Sequence, residues 1–231
     1  MAKAKPSKEP LKLMVSSTVY GIEELLDQVY SLLTNFGYEV WASHKGTVTV
    51  FPHRHAFESC LKAVEDCDLF VSIITPQYGS GVLDEDDLSI SHKELLKAIE
   101  LEKPRWVMAH DHVVFARSLL RKFGWRDAAT RMEGLAKLGY DNKESAKILR
   151  EREQRVLDDF RVIDMYDAAI RDEIKPAKDR IDNWVQKFSR PDDVKLFTAT
   201  QFSRYQQVEW FLKEQFSDEK AIRKHVKGDA K

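Results

Sequence analysis

The run Leu69–Ile74 limits the fold more than any other feature of the sequence. Its residues, Leu-Phe-Val-Ser-Ile-Ile, are almost continuously apolar. That pattern is typical of a strand buried on both faces of a parallel sheet, where helices cover each side. The run therefore predicts an α/β domain with the strand at its centre.

Short apolar runs and amphipathic helices alternate along residues 11–112. Gly21 to Phe36 shows the helical pattern most clearly, with apolar residues at i, i+3, i+4 and i+7, and Gly37 is a typical helix stop. The alternation predicts a three-layer α/β fold with an open, mainly parallel sheet. The other predicted strands are Leu11–Val15, Tyr38–Ala42 and Arg105–Met108, and the other helices are Phe57–Asp66 and Ser89–Glu102.

Residues 113–216 are predicted to form a helical extension packed on this core, with a last strand near 194–197. Within the extension, residues 117–155 carry eleven basic and six acidic side chains, whereas residues 156–193 carry seven basic and ten acidic ones. Three alternatives stay open for this asymmetry: a charge-complementary helical hairpin, a surface for a partner, or two solvated faces. Beyond these segments, a disordered leader is expected at 1–10 and a charged tail at 217–231.

Composition excludes several classes of protein. Lys plus Arg is 37 and Asp plus Glu is 38, a formal net charge of −1, which argues against a general nucleic-acid binder. No apolar run approaches the roughly 18 residues of a membrane span. Cys60 and Cys67 cannot form a disulfide scaffold and are expected to be reduced thiols. A cytoplasmic protein without membrane contact is the resulting expectation.

Polar turns follow the predicted strands and are expected to meet at the carboxyl edge of the sheet, where open α/β sheets bind ligands. Ser16, Ser17 and Thr18 precede the first helix, and their hydroxyls and backbone N–H groups suit a phosphate or carboxylate. Plain helix capping is the alternative.

A second turn, Tyr78-Gly79-Ser80-Gly81, follows the central strand. Its glycines allow the backbone to approach a ligand closely. It is not a dinucleotide fingerprint, because the third glycine is missing and the loop runs into the acidic segment Asp84–Asp87. A turn without ligand contact is the alternative.

Glu94 is the candidate catalytic residue. It lies near the start of a helix after the glycine-containing loop, close to the expected carboxyl edge of the sheet. A carboxylate there suits a bound sugar, because cleavage of a ribose C–N bond builds oxocarbenium-like charge that a carboxylate stabilises or captures. A solvated acid that complements the helix dipole is the alternative.

No metal site is expected from the spacing of the histidines and cysteines. His92 and Glu94 have the H-x-E spacing of zinc deaminases, but both cysteines lie upstream and the P-C-x-x-C partner motif is missing. The pairs His53/His55 and His110/His112 lack a third ligand at a recognisable spacing.

Several short motifs fall in order along residues 11–112: Val15-Ser16-Ser17-Thr18 with Tyr20, Cys60, Cys67-Asp68-Leu69-Phe70-Val71, Tyr78-Gly79, Ser91-x-x-Glu94 with Ala98, and Lys103-Pro104. Together they resemble a domain family of unassigned function, grouped with TIR-like domains and found at the N-termini of many bacterial and animal signalling ATPases. They also resemble, more distantly, nucleoside 2-deoxyribosyltransferases.

The resemblance implies a flavodoxin-like sheet and places Glu94 where active relatives keep a catalytic glutamate. Enzymatic TIR relatives break the nicotinamide–ribose bond of NAD, and they are often active only when associated. Many other TIR-like domains only self-associate or recruit partners. Because the family occurs in signalling proteins, the resemblance also implies a role in signalling or phage defence.

Two functions stay open. The first is a TIR-like module that binds a nucleotide-like ligand or a separate protein partner without chemistry. The second is an N-glycosidase that cleaves NAD or a nucleoside with Glu94, without a metal or a further cofactor. In it Tyr78 would stack on a base, and Ser17 and Ser91 would bond ribose or phosphate. It requires Glu94 in a pocket shared with Ser17 and Tyr78, and not in an ion pair.

Overall fold

Five strands form one parallel sheet. The structure, a computed structural model, describes residues 9–50, 53, 55–79, 88–150, 156–171, 184–207 and 209. The strands are β1 (Lys12–Ser17), β2 (Glu39–Ala42), β3 (Leu69–Ile74), β4 (Arg105–His110) and β5 (Val185–Phe188). They lie in the order β2-β1-β3-β4-β5, and each neighbouring pair is parallel. This is the strand order of flavodoxin-like sheets.

Helices cover both faces of the sheet, which confirms the predicted three-layer α/β fold. The helices are α1 (Glu23–Asn35), α2 (Ala56–Asp66), α3 (Ile90–Glu100), α4 (Asp111–Lys122), α5 (Ala128–Lys137), α6 (Asn142–Leu149), α7 (Arg161–Ile170) and α8 (Pro191–Phe202). One face is covered by α1 and α8, and the other by α2, α3, α7 and α4.

The alternation of side chains along the strands builds one apolar core on each face. In β1, Leu13 and Val15 pack with α1 and α8, whereas Met14 packs with the opposite layer. All six residues of β3 are buried, as the continuous apolar run predicts. The same alternation turns Ser16, two residues after Met14, toward the layer that contains α3.

The last strand was predicted wrongly. Residues 194–197 lie inside α8, and the strand that completes the sheet is β5, Val185–Phe188. Pro191 begins the helix at a position where its missing N–H is harmless. The carboxylate of Asp193 accepts hydrogen bonds from the backbone N–H groups of Ser189 and Arg190, both at 3.0 Å. These contacts fix a helix start just before the segment that the sequence suggested as a strand.

Opposite charges join the helices of the extension. Arg117 and Arg121 of α4 pair with Asp167 of α7, and Arg131 of α5 pairs with Asp164 of α7. Arg131 is almost completely buried. The ion pairs therefore show charge complementarity within the extension, but they join the three helices α4, α5 and α7 and not the two arms of a single hairpin.

Among the described residues, no helix combines the length and the hydropathy that crossing a bilayer requires. Most of the predicted leader at 1–10, the turn residue Ser80 and the predicted tail at 217–231 lie outside the described residues.

Candidate functional site

The candidate site lies where the sheet changes winding direction. Because β1 and β3 are neighbours and the helices α1 and α3 cover opposite faces, a crevice is expected beyond the carboxyl ends of these two strands. Ser16 and Ser17 end β1 there, Thr18 follows β1, and Tyr78 and Gly79 follow β3. The described residues of the two predicted turns therefore lie at the same edge of the sheet.

Glu94 is buried against the end of β1. Only 4% of the residue is exposed, and Oε2 accepts a hydrogen bond of 2.5 Å from the hydroxyl of Ser16. The thiol of Cys60, on the neighbouring helix α2, also interacts with the Glu94 carboxyl. The alternative of a solvated acid at a helix start is therefore wrong.

Burial raises the pKa of Glu94 from 4.5 to about 7, although the hydrogen bond from Ser16 and the interaction with Cys60 act to lower it. No ion pair to Glu94 forms within the described part of the chain, and Lys97 on the same helix pairs with Glu65 and Glu100 instead. Burial also raises the pKa of Cys60 to about 12, so its thiol stays protonated and can donate. Glu94 is thus a carboxyl group that changes charge near neutral pH.

Ser72 extends this polar patch across the sheet, and sequence reasoning missed it. It is the register partner of Ser16, and its buried hydroxyl has no hydrogen-bond partner among the described residues. The available signal was that Ser72 is the one polar residue of the run Leu69–Ile74. Cys60 contributed to the resemblance but was not predicted as a contact of Glu94.

The loops after β1 and β3 touch each other through Thr18 and Gly79. Gly79 has φ +85°, and a Cβ atom added there would lie 3.2 Å from Oγ1 of Thr18. Ser17 joins the same two strands, because its hydroxyl donates to the carbonyl oxygen of Ile73 at 2.8 Å. The hydroxyl of Ser17 therefore links β1 to β3.

Ser91, in the first turn of α3, is buried.

Tyr78 fixes the loop after β3. The residue is 1% exposed, and its hydroxyl accepts from the Ser89 N–H at 3.1 Å and lies 2.8 Å from Nδ1 of His92. The guanidinium carbon of Arg161 lies 4.4 Å from the ring centroid. The backbone N–H donates to Asp158 at 2.8 Å. This enclosure leaves the ring no open face for the predicted stacking on a base.

His92 is held neutral beside Tyr78. Burial, helped by the charge of Arg161, lowers the pKa of His92 to about 4. Since the Tyr78 oxygen already accepts from Ser89, we assign the phenolic proton to the bond with Nδ1 of His92. The first turns of α3 are thus anchored on both sides, at Glu94 through Ser16 and at His92 through Tyr78.

A separate cleft lies at the carboxyl end of β5. It has a volume of about 560 Å³ and is lined by Asp111, Lys187, Phe188, Ser189, Asp193 and Phe197, among others. Next to it, the donor atoms of His110, Asp111 and His112 lie within 4.8 Å of one another. Of the described residues, these three are the group that could hold a metal ion.

Comparisons with known proteins complete the description. No curated protein and no solved structure matched the chain, so the TIR-like and deoxyribosyltransferase-like resemblance stays a prediction. The family model of a Domain of unknown function (DUF4062) matches residues 12–175, from β1 through α7. Because this match covers well over half of the chain, the protein belongs to the DUF4062 family.

Proposed function

We propose that this protein is an N-glycosidase that cleaves the ribose–base bond of NAD or a nucleoside, with Glu94 as its catalytic carboxylate. The observation that carries the proposal is the buried Glu94 carboxyl. It is bonded to Ser16, has no ion-pair partner in the described chain, and lies at the change of winding direction in the sheet.

A charged carboxyl group in this position destabilises the folded state. Burying a carboxylate without a cation disfavours the charged form, and a glutamine would make similar neutral hydrogen bonds without that penalty. Buried titratable groups with strongly shifted pKa values are candidates for function. With a pKa of about 7, about half of the Glu94 groups are charged at neutral pH, so the carboxylate form that the reaction needs is present.

The reaction would proceed at C1′ of the ribose. As the C1′–N bond breaks, its electron pair leaves with the base, and nicotinamide departs from NAD as a neutral molecule. The Glu94 carboxylate stabilises the oxocarbenium charge or captures C1′ as an ester. Water then supplies a hydroxyl group to C1′, and its remaining proton goes to solvent when the substrate is NAD or to the departing base when the substrate is a nucleoside.

The test is nicotinamide or base release by concentrated protein, with NAD and a panel of nucleosides and deoxynucleosides. Glu94→Gln keeps the size of the side chain and removes its charge, so its rate should fall at least about a hundredfold. Glu100→Gln is the matched control, because it removes an exposed acid from the same helix. The wild-type rate should rise with pH and reach half its plateau near pH 7, since the charged form is the active one.

Absence of release by the wild-type protein, also under crowding that favours assembly, would contradict the proposal. So would equal rates in wild type and Glu94→Gln.

A second candidate, a module that binds a partner without chemistry, is favoured by a row of apolar side chains on α4. Phe115, Leu119 and Phe123 recur every four residues and are all exposed, so they share one side of the helix. If this row mediates assembly, the molar mass measured by light scattering should rise with protein concentration. The double variant Phe115→Ser with Phe123→Ser should abolish that rise. Leu138→Ser, at an exposed site outside the row, should leave that rise unchanged.

A further inference from the structure

His110, Asp111 and His112 are brought together by the junction of β4 and α4. His110 is the last residue of β4 and the N-cap of α4, and its Nδ1 accepts the His112 N–H at 3.2 Å. The centroids of the two imidazole rings are 4.5 Å apart. The ring of His110 is packed edge-on against Phe188 of β5, with centroids 5.2 Å apart. The donor atoms of all three side chains lie within 4.8 Å of one another.

The carboxylate of Asp111 lies beside the ring of His110. Its Oδ1 lies 3.1 Å from Nδ1 of His110. That oxygen is buried and receives no hydrogen bond from the described residues. Because Nδ1 accepts from the backbone, two acceptor atoms face each other in the neutral state. A cation bound by Nδ1 would replace the His112 N–H as the partner of that lone pair, and it would give the Asp111 oxygen a partner.

We propose that His110, Asp111 and His112 bind a divalent transition metal ion of the zinc type. Two imidazoles and one carboxylate form a donor set that suits zinc, and sites with three protein ligands keep a fourth position for water or substrate. The sequence expectation missed this set, because the third ligand lies between the two histidines rather than at a downstream spacing.

The partial exposure of the three side chains and the neighbouring cleft would leave a bound metal ion accessible. His112 is exposed and Asp111 is half-exposed, whereas His110 is partly buried and packs against Phe188. Asp111 also lines the 560 Å³ cleft that includes Lys187 and Asp193, so a ligand in the cleft would reach the open position of the metal. The site follows β4 and not β1 or β3, and the proposal does not depend on catalysis by Glu94.

The test is zinc binding by the full chain without an affinity tag, stripped with EDTA and followed by calorimetry and metal analysis after gel filtration. We expect one equivalent of zinc, and Asp111→Asn and His112→Gln should each weaken binding at least about tenfold. The double variant His53→Gln with His55→Gln removes the other H-x-H pair and should bind like the wild type. Melting curves in EDTA show whether each variant is folded.

Cobalt gives a second readout that does not depend on calorimetry. Ligation by these residues should give d–d absorption bands that Asp111→Asn changes. The proposal is overturned if the wild type retains no zinc, if Asp111→Asn and His112→Gln bind like the wild type, or if the His53/His55 variant loses zinc equally.

Discussion

Glu94 and His92 are two buried groups whose neutral forms the fold prefers. The pKa of Glu94 is raised to about 7, so the stability that it contributes is complete below about pH 4.5 and lost as pH rises to about 7. The pKa of His92 is lowered to about 4, so its contribution is complete above about pH 6.5 and lost as pH falls to about 4. Over the shared interval the two effects oppose each other.

Glu94→Gln should stabilise the protein at alkaline pH, although the proposed N-glycosidase activity should fall with the same substitution. The substitution removes a charge that the fold disfavours, and a shift of this size corresponds to at most about 3 kcal/mol. We expect the gain in unfolding free energy at pH 8 and none at pH 4, measured by urea titration. Glu100→Gln should show no such difference, and an equal loss for Glu94→Gln at both pH values would contradict this account.

The chemistry of single side chains was only partly predictable. Ser16 and Glu94 were recognised because each stands at a strand or helix end, where local sequence shows the position. The enclosure of Tyr78 was not predictable, since Asp158 and Arg161 approach it from a segment about 80 residues away. Long-range contacts of this kind leave no periodic signal in the sequence.

The loops after β1 and β3 depend on each other through Gly79 and Thr18. Gly79→Ala introduces strain from the positive φ, about 1–2 kcal/mol, and a close contact with Oγ1 of Thr18. Gly124 is the matched control, because it has φ +81° but nothing within 4 Å of an added Cβ. Gly79→Ala should therefore lower the thermal midpoint more than Gly124→Ala. Equal shifts would mean that the loops do not constrain each other.

Elements with strong local periodicity were predicted, and so was the short strand β2, whereas the equally short β5 was not. β3 and α1 show their period plainly. β5 has four residues, Val-Gln-Lys-Phe, of which Phe188 alone is buried, so it has little to distinguish it from a loop. Val194, Leu196 and Phe197 suggested a strand, yet Leu196 is exposed on a helix. Pro191 and Asp193 were the stronger signals there.

The end of α8 holds the start of β1 and the end of α1 together. The hydroxyl of Tyr38 donates to the carbonyl oxygen of Phe202 and accepts the N–H of Gln206. The side chain of Gln206 accepts the Leu11 N–H at 2.9 Å and donates to the carbonyl oxygen of Gly37 at 3.1 Å. The fold therefore extends beyond residue 175, where the family match ends.

Phe202→Ala tests whether α8 is an integral part of the core. Phe202 is 1% exposed and packs against the rings of Tyr38 and Trp106, so its loss should cost about 3–5 kcal/mol. Leu196→Ala, on the exposed side of the same helix, should change the unfolding free energy by less than about 0.5 kcal/mol. A small effect of Phe202→Ala in chemical denaturation would show that α8 is dispensable.

The position of β5 at the edge of the sheet has a consequence for synthesis of the chain. The ribosome completes β4 at His110 but reaches β5 only after adding residues 111–184. At about 5–20 residues per second, the nascent chain lacks its last strand for several seconds. During that interval the β4 edge presents unpaired backbone groups that can join a strand of another chain. Slow decoding or a shortage of chaperones should therefore produce aggregates of nascent chains, whereas the finished protein has β5 paired along that edge.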